Sequence, residues 1–187
     1  MATSTSRTPT TRSPTLASLG GLLDGLDQAD PPVPAERRVL AALGPKMLDL
    51  AAKRACGVHP YPVTPEHTWR AREALGEEPL VPPEQTVILC AGADAAREIG
   101  TDWLRRYLAL PNYANNLLRL GFSPEDLALV SDRLFDAVIA WGDEAAIRRR
   151  LDEHRAAGAD HIRIQVLTAD PNAFPRQQWR RLAAALG

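Results

Sequence analysis

Cysteine is nearly absent: only Cys56 and Cys90 occur in 187 residues. No disulfide framework can be built from them, and both sit in apolar surroundings, as reduced, buried thiols of a cytoplasmic protein do. No apolar run approaches the ~20 residues of a membrane span. The four histidines and two cysteines show no metal spacing, with no Cys-x-x-Cys and no His-Glu-x-x-His. The Gly-x-Ser-x-Gly elbow is missing too, which argues against a hydrolase triad. Ala91-Gly92-Ala93-Asp94 has one glycine where a dinucleotide fingerprint needs three, so Asp94 is better read as a helix N-cap. Neither charge sign is in excess: 22 Lys+Arg face 23 Asp+Glu, for a net charge of −1. No global field attracts nucleic acid. The run Arg148-Arg149-Arg150 is expected on a solvated helix face, in turn-spaced pairs Glu144–Arg148, Arg148–Asp152 and Arg149–Glu153.

What remains has the make-up of a soluble globular protein, with 45% hydrophobic and 24% charged residues and length for one domain with an ample core. The opening MATSTSRTPTTRSP is rich in Ser and Thr, carries Arg7 and Arg12, and has no acid. It faintly suggests a transit peptide, but no apolar signal segment follows. The plainer reading is a disordered leader over residues 1–15. No tandem repeat and no further low-complexity tract occurs.

The densest information lies in RRVLAALGPKMLDLAAKRACGVHPY, residues 37–61. An apolar strand (38–43) stops at Gly44-Pro45, an Ala-rich helix (45–56) follows, and a second strand (58–61) begins after Gly57. Pro45 suits a first helical turn, and a strand that ends at glycine and feeds a helix N-terminus is an anion site, because N–H groups and the helix dipole point outward. A phosphate-bearing cofactor is therefore the first ligand to consider. Leu16, Leu19, Leu22, Leu23 and Leu26 have helical spacing over 16–28, weakened by three glycines. Thr64-Pro65-Glu66 starts a helix that stops at Gly76, and Ser123-Pro124-Glu125-Asp126 starts another. QTVILC (85–90) and HIRIQVL (161–167) are strands; 94–108, 113–120, 132–141, 143–157 and 175–186 are helices. Four strands separated by crossover-length helical stretches form parallel βα units. Helices on one side only of a curved sheet fit part of a (β/α)8 barrel: a full one has eight strands over ~250 residues, and four strands are read here.

The segment PPVPAERRVLAALGPKMLDLAAKRACGVHPYPVTPEHTWRAREALG resembles the luciferase-like monooxygenase (LLM) superfamily, with its coenzyme F-420-dependent oxidoreductases as the best fit. The resemblance continues through PEQTVIL, DWLRRYLALPNYANNLLRLGF and DRLFDAVIAWGDEAAI to GADHIRIQVL, covering residues 16–187. It implies the C-terminal half of a TIM barrel, strands 5 to 8, with the coenzyme at the C-terminal face and its phosphate on the loops after strands 5 and 6. Ala42, Leu43, Gly44 and Pro45 match the turn after strand 5, and Gly57, Val58 and His59 the end of strand 6. The implied activity is hydride transfer to or from a deazaflavin, alternatively flavin mononucleotide, with a small organic substrate. Nothing here matches strands 1 to 4, so no catalytic residue carries over. The alternative is a truncated, non-catalytic remnant or a module that completes a barrel with another chain. A helical interaction protein without cofactor would require every strand assignment to fail.

Read without the resemblance, Gly44-Pro45-Lys46 is either a phosphate cradle or a tight turn beside a solvated lysine. His59 is either a donor to a phosphate or ring carbonyl, or a turn histidine before Pro60. His67 and His154 are expected at the surface. Asn112, Tyr113, Asn115 and Asn116 are read as helix-capping rather than as a substrate entrance. Arg163 and Gln165 share one strand face, where an arginine needs a partner. Unpaired edges of a parallel sheet predict self-association or a partner chain.

Overall fold

The computed structural model describes residues 15–187. The leader expected over 1–14 lies outside the described residues, while Thr15, counted with it, begins the first helix: its side chain accepts from the Ser18 amide. That helix, α1 (Leu16–Asp27), holds despite its glycines. Leu23 is buried, and the Arg54 guanidinium reaches Asp24 at 2.9 Å and Asp27 at 2.8 Å. Buried Arg38 also meets Asp27, at 2.5 Å.

Then come β1 (Val39–Leu40), α2 (Pro45–Arg54), β2 (Gly57–Val58), α3 (Pro65–Leu75) and β3 (Glu84–Leu89). Four helices follow: α4 (Ala93–Leu108), α5 (Pro111–Arg119), α6 (Pro124–Leu129) and α7 (Asp132–Val138). The chain closes with β4 (Ile139–Gly142), α8 (Glu144–Ala156), β5 (Arg163–Val166) and α9 (Arg176–Leu186). Every strand pair is parallel: Val39 lies opposite Gly57, Thr86 opposite Ile139, and Glu84 opposite Arg163. The two sheets are stitched together through Leu80, whose amide donates to Cys56 O (2.7 Å) and whose carbonyl accepts from the Val58 amide (2.9 Å). The Glu84 amide extends the stitch to Pro60 O (3.0 Å). The wall therefore runs β1, β2, β3, β5, with β4 paired to β3 on the side facing β2, an open arc of parallel strands that does not close among the described residues.

Three expectations are corrected. Residues 132–141 are not one helix: α7 ends at Val138, and β4 lies along the same edge of β3 that Pro60 uses lower down, with the Cys90 amide donating to Gly142 O at 3.1 Å. Leu134, Phe135, Val138 and Ile139 fit a helical stripe, so only the distant partner strand shows where the helix stops. The first two strands shrink to two residues each, because the pairing between β1 and β2 involves only those positions. Helices stand on both faces of the larger sheet. Val87 packs with Ile147, Leu151 and Leu182 of α8 and α9. Ile88 packs with Ala96, Trp103 and Leu104 of α4 and Phe135 of α7. Covering both faces is the normal state of parallel strands, and each large apolar side chain so buried contributes about 1.5–3 kcal/mol.

Polar residues also enter the interior. His154 is fully buried, contrary to its expected surface position. Its Nε2–H donates to Gln85 Oε1 (2.9 Å), because the Gln85 amide nitrogen is already donating to the carbonyls of Thr86 and Val138. Its Nδ1 therefore accepts from the Thr68 hydroxyl (2.8 Å). Burial pushes its pKa down to about 3. The expected ion pairs along α8 are replaced: Glu144 binds Arg181 of α9, Arg150 binds Glu153, and Arg155 binds Asp152. Cys56 and Cys90 are free and half-buried. No described helix is long and apolar enough to cross a membrane.

Candidate functional site

β1 delivers the chain to Leu43 and Gly44. Gly44 is the N-cap of α2, with Pro45 in the first turn, and its carbonyl takes the Met47 and Leu48 amides at 2.9 and 3.0 Å. This places the N-terminal dipole of α2 at the end of a parallel strand. A Cβ built on Gly44 would lie 3.3 Å from Arg119 Nη2, so a guanidinium from α5 stands against the turn. The same nitrogen is 3.5 Å from Asn116 Oδ1. Arg70 of α3 donates to the Arg119 carbonyl at 3.0 Å and pairs with Glu66 at 2.6 Å.

Thr64 caps α3 by accepting from the His67 amide at 3.3 Å, which fixes His67 in the first helical turn. Its ring does not face solvent as expected; the residue is 2% exposed. Nε2–H donates to Leu43 O at 3.1 Å, since a carbonyl can only accept. Burial pushes the His67 pKa down to about 4, with Arg119 and Arg70 acting in the same direction. The imidazole is therefore neutral, and Nδ1 is a bare lone pair without a partner. Asn116 is buried as well, and its Nδ2 has no acceptor; it caps no helix, unlike the sequence expectation. Asp94 caps none either: α4 starts at Ala93 behind Gly92.

A second group lies along the strand ends. His59 Nδ1–H donates to Pro82 O (2.8 Å), which leaves Nε2 to accept from Arg163 Nη1 (3.4 Å). Arg163 finds its partner in Glu84, at 3.4 Å. Desolvation raises the Glu84 pKa, with Arg163 and His59 partly opposing it. Tyr107 stacks edge-on to Tyr61 and Tyr113, with centroids 6.2 and 5.0 Å away. Burial raises the pKa of Tyr113, and its hydrogen bond with Tyr61 adds to this. Tyr61, Glu84, Tyr107 and Arg163 of this group line a cleft of ≈ 670 Å³ that runs along β5 and also includes Phe174 and Trp179.

The seven positions singled out from the sequence thus separate. Leu43, Gly44 and Pro45 form the turn. Ala42 and Val58 are buried in the core between β1, β2 and their helices. Gly57 has a packing role, since a Cβ there would meet Leu80 O at 2.4 Å. His59 meets Arg163. Lys46 is exposed. His67, Asn116, Arg119 and Glu84 were not singled out as ligand contacts. Asn116 alone gave a signal, as one of a polar cluster after a proline.

A phosphate group suits the turn. Arg119 and the α2 N-terminus supply positive potential, Asn116 Nδ2 is a donor in need of an acceptor, and the Glu66 carboxylate is engaged by Arg70.

No protein-family model matches this sequence, and no curated protein is significantly similar to it. Solved structures share its fold. The coenzyme F420 dependent tetrahydromethanopterin reductase from Methanopyrus kandleri superposes with a TM-score of 0.56 and 19% identity, over 68% of this chain and 44% of that one. The apo form of MsnO8 gives 0.52 and 17%, over 95% and 62%. EDTA monooxygenase (EmoA) from Chelativorans sp. BNC1 gives 0.51 and 15%, over 83% and 46%. The chain thus spans 44–62% of the length of these proteins. Its fold is that of part of a TIM barrel, the fold of these proteins.

Proposed function

We propose that this chain is the phosphate-binding part of a luciferase-like oxidoreductase that uses coenzyme F-420 or, alternatively, flavin mononucleotide. The observation that carries this reading is the Leu43–Gly44–Pro45 turn: a parallel strand ends there, a helix begins, and a guanidinium stands against the glycine. An F420 dependent reductase among the proteins of the same fold supports the choice of cofactor class. A bound deazaflavin or flavin would supply the hydride chemistry, and the protein would orient it. Gly44 and Arg119 would hold its phosphate, and the Tyr61–Tyr107–Tyr113 cluster would shield the adjoining strand ends from water. Glu84, whose carboxyl holds a proton more readily than an exposed one, would serve the cleft as a hydrogen-bond donor or acceptor.

Titration of the purified chain with oxidised F-420 and with flavin mononucleotide, followed by fluorescence, tests the reading. Saturable binding of one of them is expected; binding of neither refutes it. The second reading, a module that completes a barrel with another chain, is favoured by one observation: the strand array has open edges, with β1, β4 and β5 each having a single strand neighbour among the described residues. Under it, cofactor binding would appear only after the partner is added.

A further inference from the structure

The outer edge of β5 carries unmet hydrogen-bonding groups. The Arg163 and Leu167 amides donate to Pro83 O (3.0 Å) and Val87 O (2.9 Å), which turns them toward β3. Backbone groups of successive strand residues point to opposite edges, so those of Ile164 and Val166 point away from β3. Among the described residues no second strand lies beside β5, and these groups have no backbone partner. Such a row is a template for a further strand.

The cleft of ≈ 670 Å³ follows this edge and is lined from both faces of the sheet. Ile162, Ile164 and Val166 belong to one face, where they pack with Ile147, Leu151 and Leu182. Arg163 and Gln165 alternate with them, and Arg163 meets Glu84 on the other face. Phe174, 75% exposed, and Trp179, 48% exposed, add open aromatic surface to the lining. A compact ligand meets one face only. An extended chain laid along the edge sends alternate side chains to both.

The charges select the chain. Glu84 is the one acid in the lining, and its side chain is buried against Arg163, whose own is 66% exposed. The Arg176 guanidinium lies 5.9 Å from the Phe174 ring centroid. Its helix, α9, carries Arg176, Arg180 and Arg181 and no acid, and of these only Arg181 has a carboxylate partner, Glu144, among the described residues. The positive side of this edge is left uncompensated.

We propose that β5 takes up an extended segment of another polypeptide as an added strand, apolar at alternate positions and carrying a carboxylate for Arg163. Main-chain bonds to Ile164 and Val166 supply the affinity, and the aromatic and arginine side chains supply the choice of sequence. This gives the second reading above an edge and a partner chemistry, and it holds whether or not the Gly44 turn takes a phosphate.

The test is amide hydrogen exchange, read by NMR on the full chain alone and with two capped octapeptides, one alternating valine and glutamate, the other valine and lysine. The glutamate peptide is expected to slow exchange at Ile164 and Val166 by about tenfold or more, while the Arg163 and Leu167 amides, already bonded to β3, change little. By isothermal titration it is expected to bind about tenfold tighter than the lysine peptide, and Arg163→Gln, at an exposed side chain, to remove most of that preference. Equal binding of the two peptides, binding without protection of Ile164 and Val166, or an unchanged preference in a folded Arg163→Gln overturns the proposal. Protection of these amides in the chain alone, growing with its concentration and unmoved by the glutamate peptide, assigns the edge to a second copy and also overturns it. Protection by the peptide, together with cofactor binding by the chain alone, supports the proposal and overturns the second reading. Cofactor binding that requires a partner chain, with these amides unprotected, does the reverse.

Discussion

Mild acid should weaken this fold before carboxylates of ordinary pKa begin to titrate. The two interior histidines are responsible. His154 is held neutral between Thr68 and Gln85, and His67 against Leu43, with pKa values of about 3 and about 4 in place of the ordinary 6.5. Below pH 6.5 the unfolded chain takes up a proton at each site and the folded chain does not. The stability they contribute is therefore fully present above pH 6.5 and declines as pH falls toward the folded values. Between pH 7.5 and 5.5 each histidine removes about 1.4 kcal/mol, together roughly 2.8 kcal/mol. For a chain of this length that lowers Tm by roughly 6–11 °C. Glu84, with its pKa raised by desolvation, acts in the opposite direction. Urea unfolding at the two pH values reads the loss, and His154→Gln should remove about half of it. A wild-type midpoint that does not move, or a His154 imidazole that titrates near 6.5 by NMR, would refute this account of the buried network.

Gly44→Val should weaken binding of any phosphate-bearing cofactor, because its side chain would displace the Arg119 guanidinium; unchanged affinity by titration removes Gly44 from the site. Gly57→Ala should lose about 1–3 kcal/mol in urea unfolding by forcing Leu80 O away, whereas Gly20→Ala, with open space around it inside α1, should gain about 0.5–1 kcal/mol. Arg163→Ala should raise the Glu84 pKa further by removing its opposing charge, which a carboxyl titration by NMR would register. Sedimentation analysis should show self-association through the open sheet edges; a monomer at all concentrations would count against exposed edges that pair.

Local signals were legible in the chain and distant ones were not. Thr64 and Ser123 announced α3 and α6 because a cap bonds its own helix three residues on; Ser123 and Asp126 indeed form a reciprocal capping box. The Gly44–Pro45 turn was equally readable, since it depends on two adjacent residues. β4 was invisible because its four residues continue a helical stripe, and only β3, some fifty positions earlier, makes them a strand. His154 looked like a surface residue among charges because Thr68 and Gln85 lie 86 and 69 positions away. Arg163 was recognised as needing a partner, but its identity as Glu84 depends on the register of β5 against β3. The approach of Arg119 to Gly44 brings together positions 75 residues apart, which no short-range pattern encodes.

The arc of β1, β2, β3 and β5, with β4 laid on β3, ends in two unlike rims, the outer side of β1 and the outer side of β5. A two-fold axis running along the strands would set the β5 rim of one copy beside the β1 rim of a second, and repeat the contact on the opposite side. Every strand would stay parallel, and both seams would be the same junction, with half-exposed Val39 on one side and the Arg163–Val166 strand on the other. An axis perpendicular to the strands would instead place unlike directions together and leave one rim of each copy unused.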